Sequence, residues 1–135
     1  MSHRKIAEII FRHALEAVEP GRLVRNNLHL TDNVLHIAGD SVNLQTVSNI
    51  YVVGAGKAAA PMAQAAEETL GNRLAEGTVV TKYGHSRPLR RVRITEASHP
   101  LPDENGLAGT EEIIRILAKT QPDDLVLLLL SGGGS

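Results

Sequence analysis

Lys57 closes the run Gly54-Ala55-Gly56-Lys57, and glycines followed by a lysine at that spacing point to the binding of an anion. Glycine has no side chain, so backbone N–H groups beside it can approach an oxyanion closely, and the lysine adds a full charge. Three further places carry groups of the same kind. Ser131-Gly132-Gly133-Gly134-Ser135 is a second glycine-rich turn, Lys82 and His85 stand in Lys82-Tyr83-Gly84-His85, and His99 precedes Pro100 and Pro102 in a stiffened loop. Lys82, His85 and His99 are candidates by position alone, because loop lysines and histidines are ordinarily just solvated.

Three anion-binding patterns compete for residues 54–60. The P-loop wants a glycine five residues before the Gly-Lys pair and a Ser or Thr after the lysine, whereas this chain has Tyr51 and Ala58. The dinucleotide pattern G-x-G-x-x-G/A is met by Gly54, Gly56 and Ala59. It also asks for an acidic residue after the next strand, and Thr81 and Lys82 stand there, of which the lysine would suit a 2′-phosphate. The third pattern is a phosphoryl-transfer site in which loop amides and Lys57 neutralise charge on transferring phosphate oxygens.

The elements that must position these groups follow from periodicity. Ile50 to Val53 reads as a strand covered on both faces, and Ala58, Met62, Ala65, Ala66 and Leu70 recur at helical spacing behind the glycines. Pro61 is tolerated only in a first turn, so this helix should begin at about Lys57 to Ala59 and leave the amides of residues 54–59 partly unpaired. Gly71 should end it, and Thr78 to Thr81 should form the next strand of a β-α-β unit whose end carries Lys82 and His85. Val92 to Thr95 is a further strand candidate, and Asp103 can cap a helix that places Leu107, Ile113, Ile114 and Leu117 on one face. Leu125 to Leu130 reads as a buried strand, central in the sheet, running into the second glycine turn with no helix behind it. A flexible linker would read the same way, but would not normally sit directly on such a strand. Towards the start, Ser2 to Val18 has an amphipathic helical stripe that packs on something and ends at Pro20-Gly21, and Leu28 to Leu30 with Val34 to Ile37 reads as a hairpin. His3, His13, His29 and His36 are expected at the surface.

Composition limits the function classes. The 135 residues suit one domain. A net charge of −1 with 2% aromatic residues argues against nucleic acid. Arg87, Arg90, Arg91 and Arg93 are expected to be a solvated loop and strand edge with no ligand role. With no cysteine there is no disulfide framework, which fits a reducing compartment, and the charged N-terminus is neither a secretion signal nor a membrane span. The expectation is a cytoplasmic protein.

The four ordered motifs Val52 to Glu67, Val79 to His85, Glu96 to Gly106 and Leu127 to Ser135 resemble those of the glycerate 2-kinase family of the MOFRL type, whose members are also known as hydroxypyruvate reductases. One departure is Ser98, where the family would have glycine before His-Pro. The resemblance implies an α/β fold with a Rossmann-like, mostly parallel sheet and flanking helices. Residues 1–135 would be the N-terminal portion of that domain, with its remainder and a second domain in a longer chain. It implies transfer of the ATP γ-phosphoryl group to D-glycerate, giving 2-phosphoglycerate with Mg²⁺. Lys57 would be the catalytic, phosphate-contacting residue. Ser131, Gly132, Gly133, Gly134 and Ser135, with Gly54 and Gly56, would bind nucleotide phosphates. Lys82, His85 and His99 are candidates to meet the substrate by their position at the sheet edge, not by the resemblance. Metal ligands would lie further along the longer chain, and a homodimer is an open option. The rival readings are a hydroxypyruvate reductase using NAD(P)H and a non-catalytic phosphate-binding module.

Overall fold

Aliphatic residues from distant parts of the chain become neighbours in one parallel sheet. The computed structural model describes residues 1–132, and Gly133, Gly134 and Ser135 lie outside the described residues. In chain order the elements are α1 (His3–Ala17), α2 (Pro20–Asn27), β1 (Leu28–Thr31), β2 (Val34–Ile37), β3 (Asp40–Asn43), β4 (Ile50–Ala55), α3 (Ala59–Leu70), β5 (Leu74–Lys82), β6 (Val92–Ala97), α4 (Glu104–Lys119) and β7 (Leu125–Leu130). The large sheet has the order β6-β5-β4-β7, and every pairing in it is parallel. Numbered within that sheet the order is 3-2-1-4, that of a doubly wound fold, and the direction of winding reverses between β4 and β7. Strands β1, β2 and β3 form a separate antiparallel sheet.

Each face of the large sheet carries a helix. Helix α3 meets the sheet through Ala59, Ala63 and Ala66, all fully buried, against Val52, Val79 and Leu129. Its small side chains let the helix lie close to the strands. On the other face Ile116 of α4 is buried with Tyr51 and Val53, joined by Ile113 and Val126. Pro61 is the third residue of α3, in the first turn, and Gly71 closes the helix with φ of 51°.

Several expectations need correction. Strand β7 is an edge strand among the described residues, pairing only with β4. Leu125, Leu127 and Leu129 turn towards the α3 side, whereas Leu128 and Leu130 remain 61% and 62% exposed. The reason is that α4 lies chiefly over β5 and β6, leaving that face of β7 unroofed. Pro20-Gly21 does not simply end a helix. Pro20 opens α2, because the Glu19 carboxylate accepts the Gly21 and Arg22 N–H groups at 2.9 and 2.6 Å. The hairpin gains a third strand, since the Ala38-Gly39 turn returns the chain as β3. Helix α1 is amphipathic as expected but buries none of its residues. His3, His13 and His29 are exposed, while His36 is half-buried and hydrogen-bonded to Ser41. The four arginines 87, 90, 91 and 93 are exposed, on the loop before edge strand β6 and on that strand.

Candidate functional site

The turn at Gly56 and the start of the second glycine run, at Ser131, lie side by side at the C-terminal edge of the sheet, at the point where the winding reverses. That follows from the register, which sets Ala55 of β4 opposite Leu130 of β7, so that the chain leaves both strands at the same level. The Ser131 N–H then donates to the Ala55 carbonyl at 3.2 Å. Gly56 has φ of 114°, a conformation that side chains rarely adopt, and a Cβ built there would collide with the Ser131 hydroxyl. A Cβ on Gly54 would likewise run into the Leu129 carbonyl, so β4 and β7 can approach there only over glycine.

The expectation of free amides is narrowed by the backbone bonds. The Gly56 N–H donates to the Val80 carbonyl and the Ala59 N–H to the Gly56 carbonyl, both at 3.0 Å. Among the described residues no acceptor stands against the N–H groups of Lys57 and Ala58. Helix α3 begins directly after them, with Ala58 as N-cap and no side chain capping it, so the positive end of the helix is open. The Lys57 side chain is exposed beside it.

Gly56, Lys57, Lys82 and His99 line one cavity of about 150 Å³ at the ends of β4, β5 and β6. That is below the roughly 300–1,000 Å³ of a pocket for a whole drug-sized ligand, and matches a phosphoryl group or a small acid better than an entire nucleotide. His85 is not among the lining residues. Its N–H donates to Glu96 Oε1 and to the Lys82 carbonyl, both at 3.1 Å, on an exposed loop. Gly54 sits within the sheet behind the turn, Ser131 stands against Gly56, and Gly132 is an exposed bend. Gly133, Gly134 and Ser135 fall outside the described residues.

Three residues that hold this edge together escaped the motif reading. The Thr81 hydroxyl donates to the Gly56 carbonyl at 3.1 Å, tying the turn to β5. The signal was a hydroxyl in the last buried position of an aliphatic strand. Tyr83 and Asp103 also meet here, the tyrosine hydroxyl donating to Asp103 Oδ2 at 2.7 Å. Asp103 was legible as a helix cap but not as Tyr83's partner, because the two are far apart in sequence.

A larger depression of about 540 Å³ lies at the other end of the sheet, lined by Glu67, Glu68, Asn72, Arg90 and Arg91. Its central carboxylate, Glu67, is already taken by the N–H groups of Arg90, Arg91 and Val92 at 2.8 to 3.0 Å. That is how the start of β6 is fastened, so the smaller cavity is the better candidate. Among the described residues no group of three or more His, Asp or Glu is placed to hold a metal ion. No described helix is long and apolar enough to cross a membrane.

A family model described as a domain of unknown function (DUF4147) matches residues 6–135. The D-glycerate 2-kinase of Thermotoga maritima is 42% identical over 135 residues, covering 99% of this chain and 29% of the relative. A putative hydroxypyruvate reductase of Agrobacterium vitis is 38% identical over 135 residues, covering 100% of this chain and 28% of the relative. Among solved structures, that of the PH0495 protein from Pyrococcus horikoshii OT3 superposes with a TM-score of 0.86 at 35% identity, covering 98% of this chain and 30% of that one. The chain thus spans 28–29% of the length of these two curated relatives.

Proposed function

We propose, since this chain belongs to the DUF4147 family, that the full-length protein is a cytoplasmic glycerate 2-kinase and that residues 1–135 are the N-terminal portion of its Rossmann-like domain. The observation that carries this reading is the adjacency of the Gly54 to Ala58 turn and Ser131 at the winding reversal, with Lys57 beside them. The relatives named glycerate 2-kinase support it at the level of the family.

In this reading the open N–H groups of Lys57 and Ala58, the Lys57 ammonium and the residues from Ser131 to Ser135 receive the ATP phosphates. Lys82 and His99 face the same cavity and would hold the carboxylate of D-glycerate. The glycerate hydroxyl oxygen forms a bond to the γ-phosphorus as the bond to the bridging oxygen breaks, ADP leaves, and the hydroxyl proton passes to solvent water. The chain's part is positioning and charge neutralisation, which dominate phosphoryl transfer. Mg²⁺ is the metal this chemistry calls for. The described residues offer no cluster for it.

The test is ADP release with D-glycerate by full-length protein and its Lys57→Ala variant. A charge-assisted phosphate contact contributes roughly 1.5–3 kcal/mol, so the variant should lose between about tenfold and a few hundredfold in kcat/KM with an unchanged melting temperature. Undiminished turnover would refute the assignment of Lys57. The second reading, a hydroxypyruvate reductase, is favoured by the G-x-G-x-x-A match and by the name of the Agrobacterium vitis relative. Oxidation of a reduced nicotinamide by hydroxypyruvate, without ADP formation from glycerate, would put it first.

A further inference from the structure

The two loops that carry Lys82 and His99 are fastened to each other by a carboxylate that does more than cap a helix. Asp103 is the N-cap of α4, and one of its oxygens, Oδ1, accepts the Gly106 N–H at 2.9 Å. Capping needs no more than that. The other oxygen, Oδ2, accepts the Tyr83 hydroxyl at 2.7 Å and the Ser98 N–H at 3.1 Å. Tyr83 is next to Lys82 and Ser98 is next to His99, so one oxygen gathers the neighbours of both cavity residues. Asn105 donates to the Tyr83 oxygen at 2.9 Å, and the Tyr83 N–H donates to the Ala97 carbonyl at 3.2 Å. From the other side Glu96 of β6 accepts the His85 and Ser86 N–H groups at 3.1 and 3.2 Å. The loop after β5 is therefore held at one end to the segment between β6 and α4, through Asp103, and at the other to β6, through Glu96.

We propose that Tyr83 and Asp103 are positioning residues that set the separation of Lys82 and His99 for recognition of the hydroxy acid. The inference rests on the function proposed above in one respect, that the acid meets Lys82 and His99. Tyr83 is 48% exposed, so packing does not account for where its hydroxyl is placed. The pair is also matched in charge state: the tyrosine hydroxyl holds the Asp103 carboxyl below its ordinary range, and the carboxylate in turn holds the Tyr83 hydroxyl above its own.

The experiment compares full-length wild type with Tyr83→Phe, Asp103→Asn and the double variant. Phenylalanine removes only the hydroxyl, and asparagine is as good an N-cap as aspartate while losing the second acceptor. Each single variant should raise KM for glycerate about tenfold, with KM for ATP and the melting temperature little changed. The double variant should be no worse than Asp103→Asn, which already takes away the acceptor of both the Tyr83 hydroxyl and the Ser98 N–H. Amide exchange, which needs no activity, should quicken at Ser98, His85 and Ser86 in Tyr83→Phe. Unchanged KM for glycerate with faster exchange would overturn the positioning role, and unchanged exchange would overturn the fastening itself. Wild-type protein that forms no ADP with glycerate would refute the function reading instead, and the fastening would then be judged by exchange alone.

Discussion

Gly56 sits where a turn, a strand end and a helix start meet, and its role can be tested by one methyl group. With φ of 114° and the Ser131 hydroxyl in the space a Cβ would fill, Gly56→Ala must both strain the backbone and push the two turns apart. The positive-φ cost alone is of order 1–3 kcal/mol. The variant should therefore melt several degrees lower, and in the full-length protein it should weaken ATP binding more than the melting loss explains. ATP affinity equal to wild type, measured by titration calorimetry, would mean that the adjacency of the turns has no part in binding. The motif reading picked out Gly54, Gly56, Lys57, Lys82 and His99 because each stands at or near the end of a strand legible from its run of β-branched and aliphatic residues, and the structure sets Gly56, Lys57, Lys82 and His99 around one cavity. It also picked out His85, which the structure leaves outside that cavity, with its main chain drawn to Glu96. It missed Tyr83 and Thr81, whose meaning lies in partners 20 and 25 residues away.

Strand β5 shows how an element can be read correctly and still carry a surprise. Thr78 was placed in it from sequence, yet the Thr78 hydroxyl is buried without a hydrogen-bond partner among the described residues, at 1% residue exposure. Its even-numbered neighbours Glu76 and Val80 point to α4, where Arg115 lies 2.7 Å from Glu76 and Lys119 pairs with the same carboxylate. An unpaired buried hydroxyl costs about 1–3 kcal/mol, so Thr78→Val, nearly the same shape, should leave stability unchanged or raise it. A lower urea midpoint would show that the hydroxyl has a partner in solution. Strand β7 is the opposite case. Six aliphatics in a row predict burial on both faces, but burial requires a roof, and α4 covers other strands. Helix α2 was hidden because Pro20-Gly21 reads as a stop, although an acidic residue before proline is also a start signal.

Across the molecule, carboxylates fasten segments distant in sequence, and this sets the response to acid. The Gly21 N–H holds Glu19 below the ordinary carboxylate range. Lys119, then Arg115, does the same for Glu76, and Tyr83, then the Gly106 N–H, for Asp103. At Asp124 the Gln121 N–H and the Asn49 side chain are responsible. Burial raises Glu67, but the three amides of Arg90, Arg91 and Val92 outweigh it, and the net shift is again downward. A group depressed in the folded chain binds its proton later than in the unfolded chain, so its contribution is complete above the unfolded value of about 4 and is lost as the pH falls below that. The urea midpoint should be flat from pH 7 to 5 and drop between pH 4 and 3; a midpoint constant down to pH 3 would contradict the fastening role. Sequence alone determined the alternation of strands and helices, the class of fold, and the tight turn with its lysine at Gly54 to Lys57, because these depend on periodicity and backbone freedom within a few residues. Only the tertiary structure decided that β7 lies beside β4, that Gly56 meets Ser131, and that Asp103 joins the loops of Lys82 and His99. Those contacts depend on sheet order and register, and they are set by packing between segments that local pattern does not connect.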